Sequence, residues 1–245
     1  MKADNPLTGR GCDEVAAVER GRGEAYSAVL FDLDGTLLNT VELIVRSYQH
    51  TFRQCLGCEV EEEKIVRNIG LTLPEHLGLY QPDPARIEEM VAVYRAFNQD
   101  HHDQLTKLFP GVRETLSALA GAGIKLAVVS SKGRRGVEQG LALFGLTHYF
   151  QAVVALEDTT RHKPDPAPVT LAVERLRIQP HQALMVGDSL ADLEAGRRAG
   201  TGTAAVGWST CPREELLAGR PDHLLVRMGD LLALCAVQWQ ERPFS

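Results

Sequence analysis

The sequence has no long hydrophobic run. Its apolar stretches fall far short of the roughly 20 residues that a helix needs to cross a bilayer, so no membrane-spanning segment is expected. The first 25 residues are polar and glycine-rich, and they lack the apolar middle of a secretion signal. A cytoplasmic protein is the reading they suggest. Positive charge is in deficit as well: 26 lysines and arginines stand against 32 aspartates and glutamates, for a net charge of -6 and a pI of about 5.8. That argues against a general affinity for nucleic acid or anionic membrane, and a polyanion would need a local basic pocket. Zinc-site spacing is missing too. Cysteines stand at 12, 55, 58, 211 and 235, and the C-x-x-C pair Cys55/Cys58 is followed by no second pair and no histidine pair. Two ordinary thiols near a helix end are expected, in a reducing compartment. No internal repeat or low-complexity tract interrupts the chain.

What is present suits a folded core. The chain has 245 residues, 44% of them hydrophobic and 24% charged, which fits one large domain or a domain carrying a smaller one. Residues 1–25 read as an N-terminal extension, with Gly9, Gly11, Gly21 and Gly23 among Arg10, Arg20 and Arg22. Structure is expected from Tyr26. Ala28-Val29-Leu30-Phe31 is short and wholly apolar, as a strand buried on both faces of a parallel sheet should be. Similar runs recur at Leu126–Val129, Ala152–Ala155, Ala183–Val186 and Thr203–Val206. Helical patterns lie between them, at Val112–Ala122 and Pro166–Leu176. Strand and helix in alternation predict an α/β fold, a Rossmann-like parallel sheet with helices on both faces.

Residues 41–103 break that rhythm. Leu43, Ile44, Ser47, Tyr48, Thr51, Phe52 and Leu56 follow helical spacing, with Asn39 or Thr40 as N-cap. Ile87, Met90, Val91, Tyr94 and Phe97 do the same after Pro84. The spacing predicts an inserted, all-helical cap at 41–103, between core segments 26–40 and 104–245.

The chemistry-bearing residues follow the apolar runs. The first run ends in Asp32 and Asp34, the second in Ser130-Ser131-Lys132, and the fourth in Gly187-Asp188-Ser189 with Asp192 beyond. The helix after the third opens at Lys163-Pro164. Each of these is a common turn or helix start when taken alone. In open parallel sheets, however, ligands bind at the carboxyl ends of the strands, so all of these groups should meet at one edge. Asp32, Asp34, Asp188 and Asp192 would form a carboxylate cluster that repels itself unless neutralised. A hard divalent cation with oxygen ligands resolves this, and Mg²⁺ is the usual choice beside phosphate. With Lys163 and the Ser130 hydroxyl, the set suits phosphoryl transfer, where positioning and charge neutralisation dominate.

Phe31-Asp32-Leu33-Asp34-Gly35-Thr36, then Ser130, Lys163 and Gly187-Asp188 with Asp192, resemble the four ordered motifs of the haloacid dehalogenase superfamily of phosphatases. That resemblance implies roles. Asp32 is the nucleophile that forms an aspartyl-phosphate, and Asp34 is the acid and base. Asp32 and Asp188 bind Mg²⁺ through side chains and Asp34 through its carbonyl, while Asp192 orients the metal's waters. Ser130 and Lys163 hold the transferring phosphoryl group. Gly35 and Thr36 shape the loop and, with Ser131, which stands where many relatives carry Asn, are expected to contact the substrate. A dehalogenase has no use for Asp34 or the metal cluster. The helical insertion matches the superfamily's cap, with hinges expected near Leu38–Val41 and Asp103–Lys107.

Two further segments are similar to the inorganic pyrophosphatases of this superfamily, close to its phosphoglycolate phosphatases. They are Arg67-Asn68-Ile69-Gly70-Leu71-Thr72-Leu73-Pro74 and Tyr94-Arg95-Ala96-Phe97-Asn98-Gln99-Asp100-His101-His102-Asp103. A small, highly charged substrate needs cations from the cap, and Arg67, Arg95, His101 and His102 are candidates. The expected activity is therefore hydrolysis of pyrophosphate, with phosphoglycolate or another small phosphomonoester as the alternative. A non-catalytic phosphate-binding module is the remote one. The expected partner is the small substrate, with no nucleic acid and no membrane, in a monomer or homodimer.

Overall fold

The computed structural model describes residues 25–237; most of the expected extension at 1–25 lies outside them. Strand β1 (Ala28–Phe31) stands at the centre of a six-stranded parallel sheet. The chain then forms the short β2 (Leu38–Asn39) and the helices α1 (Val41–Leu56), α2 (Glu62–Val66), α3 (Leu73–Gly78) and α4 (Pro84–Leu105). It returns through β3 (Lys107–Leu108), α5 (Val112–Gly121), β4 (Lys125–Val129), α6 (Arg134–Leu143) and β5 (Ala152–Val154). There follow α7 (Ala167–Leu176), β6 (Ala183–Gly187), α8 (Leu190–Arg198), β7 (Gly202–Val206), α9 (Arg213–Ala218), β8 (His223–Leu225) and α10 (Leu231–Leu234).

The sheet order is β5-β4-β1-β6-β7-β8. Successive crossovers run one way from β1 and then the other, so the direction reverses between β1 and β6. A doubly wound sheet opens a crevice at that switch point. The continuous apolar runs follow from the two covered faces. In β1, Ala28 and Leu30 pack into one core cluster, with Val129, Val169 and Met185, while Val29 and Phe31 pack into the other, with Leu116, Val128 and Leu184. That alternation is the period of a strand. Burying a side chain such as Phe31, which is fully enclosed, stabilises the fold by about 1.5–3 kcal/mol.

The helical layer between β2 and β3 has a core of its own: Val45, Tyr48, Phe52, Ile65, Leu77 and Met90. Helix α1 starts after Thr40 and ends at Gly57, whose φ of 65° lies in the left-handed region that closes helices. Its buried hydroxyls fold back on the preceding turn, Ser47 Oγ donating to the Leu43 carbonyl at 2.7 Å and Thr51 Oγ1 to that of Ser47 at 2.7 Å. Helix α3 opens at Thr72, whose N–H and Oγ1 both donate to Glu75 Oε2, at 3.0 and 2.6 Å. Helix α4 opens on Asp83, whose carboxylate accepts from the Ala85 amide at 3.0 Å, with Pro84 next.

The way in and out of this layer is a two-stranded antiparallel ribbon, Leu38 opposite Leu108 and Asn39 opposite Lys107. It falls on the expected hinge segments. Helix α6 passes the ribbon at Gly140, where a Cβ would strike Leu38 and approach His102. No described helix is long and apolar enough to cross a membrane.

Candidate active site

The carboxyl edge of the sheet gathers the groups expected there. Asp32 directly follows β1, and its amide still donates to the Val186 carbonyl of β6 at 2.9 Å. Its backbone is thereby held at the switch point. Asp188 directly follows β6. Asp192 is fixed by the cap of α8: Ser189 Oγ accepts from the Asp192 amide at 3.3 Å and donates to Asp192 Oδ2 at 2.6 Å, while the Ser189 amide donates to the same oxygen at 3.1 Å. This reciprocal cap starts the helix and aims the carboxylate in one stroke. Two glycines make room for it. A Cβ on Gly35, whose φ is +87°, would collide with the Asp188 carboxylate, and one on Gly187 would collide with the Asp192 side chain.

Lys163 sits in the middle of the group with its side chain 4% exposed. Its ammonium donates to Asp32 Oδ1 at 2.6 Å, to Asp192 Oδ1 at 2.6 Å and to the Val129 carbonyl at 3.0 Å. All three of its donors are used. Burial alone would lower the Lys163 pKa, but Asp192 and Asp32 outweigh it and hold the amine above its ordinary range. The carboxylates respond differently. Asp32 is raised to about 7, by burial first and by Asp192 and Asp34, against the pull of Lys163. Burial, then the charges of Asp32 and Asp192, raise Asp188 well above the usual carboxylate range.

A cation fits this donor set. Asp32, Asp188 and Asp192 each offer a carboxylate oxygen, and these oxygens lie within 4.8 Å of one another among buried residues. One lysine faces three carboxylates here, which leaves the group short of positive charge. Hard oxygen donors short of positive charge suit a hard divalent ion.

Above these groups lies a cavity of about 470 Å³. Its floor includes Asp32, Asp34, Ser130, Lys163 and Asp188, and its roof comes from the helical layer, with Ile44, Tyr48, Leu71 and Tyr94. Ser131 and Arg95 line it as well. Ser130 is buried and tied to β5 by its amide, which donates to the Val154 carbonyl at 2.9 Å. Gly70, φ +110°, lies against Ser189, so the loop after α2 touches the core beside Asp188.

Other expected residues lie elsewhere. Arg67 does not reach the cavity: it caps the end of α2 and lines a separate depression with Glu61, Lys64 and Tyr80. The loop beyond it, Ile69–Leu71, is what reaches the core. Gly35 and Thr36 are not in the cavity wall. Thr36 is fully buried, its carbonyl accepting from Trp208 Nε1 at 3.3 Å. His101 stacks on Phe97, with ring centroids 4.0 Å apart, and His102 is buried at the ribbon with Nδ1 2.9 Å from Asp103 Oδ1. Neither lines the cavity.

One group went unselected in the sequence. Lys132 Nζ lies 2.9 Å from Asp34 Oδ1, both side chains 17% exposed. Its place directly after Ser130-Ser131, with Gly136 one helical turn on, was the available signal.

Comparisons with known proteins agree with the geometry. Residues 29–206 match the family described as haloacid dehalogenase-like hydrolase. The chain is 43% identical over 208 residues to the pyrophosphatase PpaX of Bacillus pumilus, covering 85% of this chain and 95% of that one. It is 42% identical over 212 residues to PpaX of Bacillus velezensis, covering 86% and 97%. Among solved structures, a haloacid dehalogenase-like hydrolase from Bacteroides fragilis superposes with a TM-score of 0.80 at 28% identity, covering 84% of this chain and 99% of that one.

Proposed function

The chain belongs to the haloacid dehalogenase-like hydrolases, and from that membership we propose that it is a magnesium-dependent phosphohydrolase whose substrate is inorganic pyrophosphate. The observation that carries the reading is Lys163, buried and bridging Asp32 and Asp192 at 2.6 Å each on the floor of the cavity. A lysine and a carboxylate cluster at a switch point suit a phosphoryl group that is attacked from Asp32 while its oxygens are neutralised. Pyrophosphate is favoured because a relative named pyrophosphatase, PpaX of Bacillus pumilus, is 43% identical across 95% of its length.

In this reading an Asp32 carboxylate oxygen bonds to phosphorus. The bond to the bridging oxygen breaks, and its electron pair leaves with the second phosphate. Asp34, two residues along, gives that oxygen a proton. Asp34 then takes a proton from water, the water oxygen attacks the aspartyl-phosphate phosphorus, and phosphate departs as the Asp32 carboxylate is restored. Ser130 and Lys163 hold the phosphoryl oxygens, Lys163 giving up its hydrogen bond to Asp32 Oδ1 as that carboxylate bonds to phosphorus. Asp32, Asp188 and the Asp34 carbonyl would hold Mg²⁺, with Asp192 orienting its shell, and the ion supplies charge neutralisation at phosphorus. Residues 41–103 act as a cap that excludes water from the core of 26–40 and 104–245, with Arg95 offering charge from the cap side.

The test is kcat/KM for pyrophosphate, phosphoglycolate and p-nitrophenyl phosphate on one preparation, with Mg²⁺ and with chelator. Pyrophosphate should be preferred and chelator should stop turnover. A large preference for phosphoglycolate would overturn the substrate, and turnover that survives chelation would overturn the metal.

A further inference from the structure

Lys163 is fully committed, its three donors going to Asp32, Asp192 and the Val129 carbonyl. The cavity floor holds a second lysine in a different condition. Among the described residues, the Lys132 ammonium has one hydrogen-bonding partner, Asp34 Oδ1 at 2.9 Å. An ammonium carries three donors, so two remain. Lys132 lines the cavity, so those donors are within reach of whatever enters it.

The residue is also held in place, unlike a typical surface lysine. Its amide donates to Ser130 Oγ at 3.1 Å, and its carbonyl accepts from the Leu156 amide at 3.0 Å. Its stem lies along Gly136 of α6, where a Cβ would come within 2.8 Å of Lys132 Cε and 3.2 Å of Cγ and Cδ. A glycine at that position lets the lysine lie flat against the helix. The entropy of ordering a long side chain is therefore partly met before any ligand binds.

We propose that Lys132 is a specificity-determining residue that receives the charged leaving group of the substrate. This rests on the phosphohydrolase reading above. Lys163 and Asp32 mark the phosphorus under attack, and Lys132 beside Asp34 marks the side from which the leaving oxygen departs. A substrate whose leaving group already bears negative charge, such as the second phosphate of pyrophosphate, gains the two remaining donors. A substrate with an uncharged leaving portion gains little.

Lys132→Met keeps the stem and removes the charge. Charge-assisted hydrogen bonds contribute about 1.5–3 kcal/mol each, or roughly 10–100-fold. The kcat/KM for pyrophosphate should fall at least about tenfold more than that for p-nitrophenyl phosphate. Lys132→Arg should restore part of the difference, and thermal melting of both variants checks that the fold is retained. An equal loss on the two substrates, or none, overturns the proposal, because a role confined to Asp34 or to folding would not discriminate between them. If the unaltered enzyme prefers phosphoglycolate to pyrophosphate, the substrate assignment falls. The selectivity is then read with phosphoglycolate, whose leaving group also carries fixed charge, and loss of the selectivity supports Lys132 all the same. Absence of turnover on all three compounds would sink the phosphohydrolase reading and this proposal together.

Discussion

Asp32 and Lys163 are buried as a pair, and neither would rest there alone. Removing one partner of a buried pair leaves an uncompensated charge, so large side-chain changes at this site confuse folding with chemistry. Asp32→Asn avoids this, because the amide is nearly isosteric and still accepts from Lys163. It is expected to abolish turnover while the melting temperature shifts by only a few degrees; steady hydrolysis by that variant would rule out Asp32 as nucleophile. At this scale the sequence was legible wherever a residue ended a strand. Asp32, Ser130 and Asp188 directly follow β1, β4 and β6, and the apolar run marks each position. Lys132 and Arg67 were not legible in the same way. Lys132 reaches Asp34 across 98 positions of chain because a glycine gives its stem space, and no local pattern records that contact. Arg67 has the charge a substrate loop should have, but the end of α2 turns it toward Glu61 and Lys64.

Helix α8 joins stability to function through its first turn. Ser189 caps the helix and, by the same hydrogen bonds, orients Asp192 toward Lys163. Ser189→Ala should lower stability by about 1 kcal/mol, the usual value of a lost N-cap. It should also weaken Mg²⁺ activation by about 10–100-fold, as loss of a partner behind a metal site does. Ser189→Thr should recover both. Magnesium titration of activity beside thermal melting separates the two effects, and unchanged magnesium dependence in the Ala variant would detach the cap from the site. The sequence marks the interior strands well, since each run is buried on both faces. The expected Ala183–Val186 is observed as Ala183–Gly187, and Thr203–Val206 as Gly202–Val206. The edge strand β8, only His223–Leu225, was missed because it is short and partly exposed, and its apolar stretch, Leu224-Leu225-Val226, is only three residues long. The β2 and β3 ribbon was missed for a related reason: two residues per strand carry no period.

Across the whole molecule, the sheet core and the helical layer keep separate apolar clusters, and the layer holds a titratable group in its own. His76 is 1% exposed, its ring centroid 4.1 Å from that of Tyr48, and its Nε2 has no hydrogen-bond partner among the described residues. Burial lowers its pKa from 6.5 to about 4. The unfolded chain therefore binds the proton first. The stability is fully present above pH 6.5, is lost as pH falls toward 4, and amounts to roughly 3 kcal/mol by then. His76→Phe, which keeps the ring stacking, should flatten the fall in melting temperature between pH 7 and 5; identical slopes in the two proteins would clear His76 of that role. The ribbon of Leu38–Asn39 against Lys107–Leu108 has a consequence of another kind. It brings both ends of the helical layer to one point on the core, side by side. A segment joined in that way is a cassette. Any other fold whose termini lie equally close could be joined to the same two strands, so the roof can change while the strand ends that carry Asp32, Ser130 and Asp188 stay where they are.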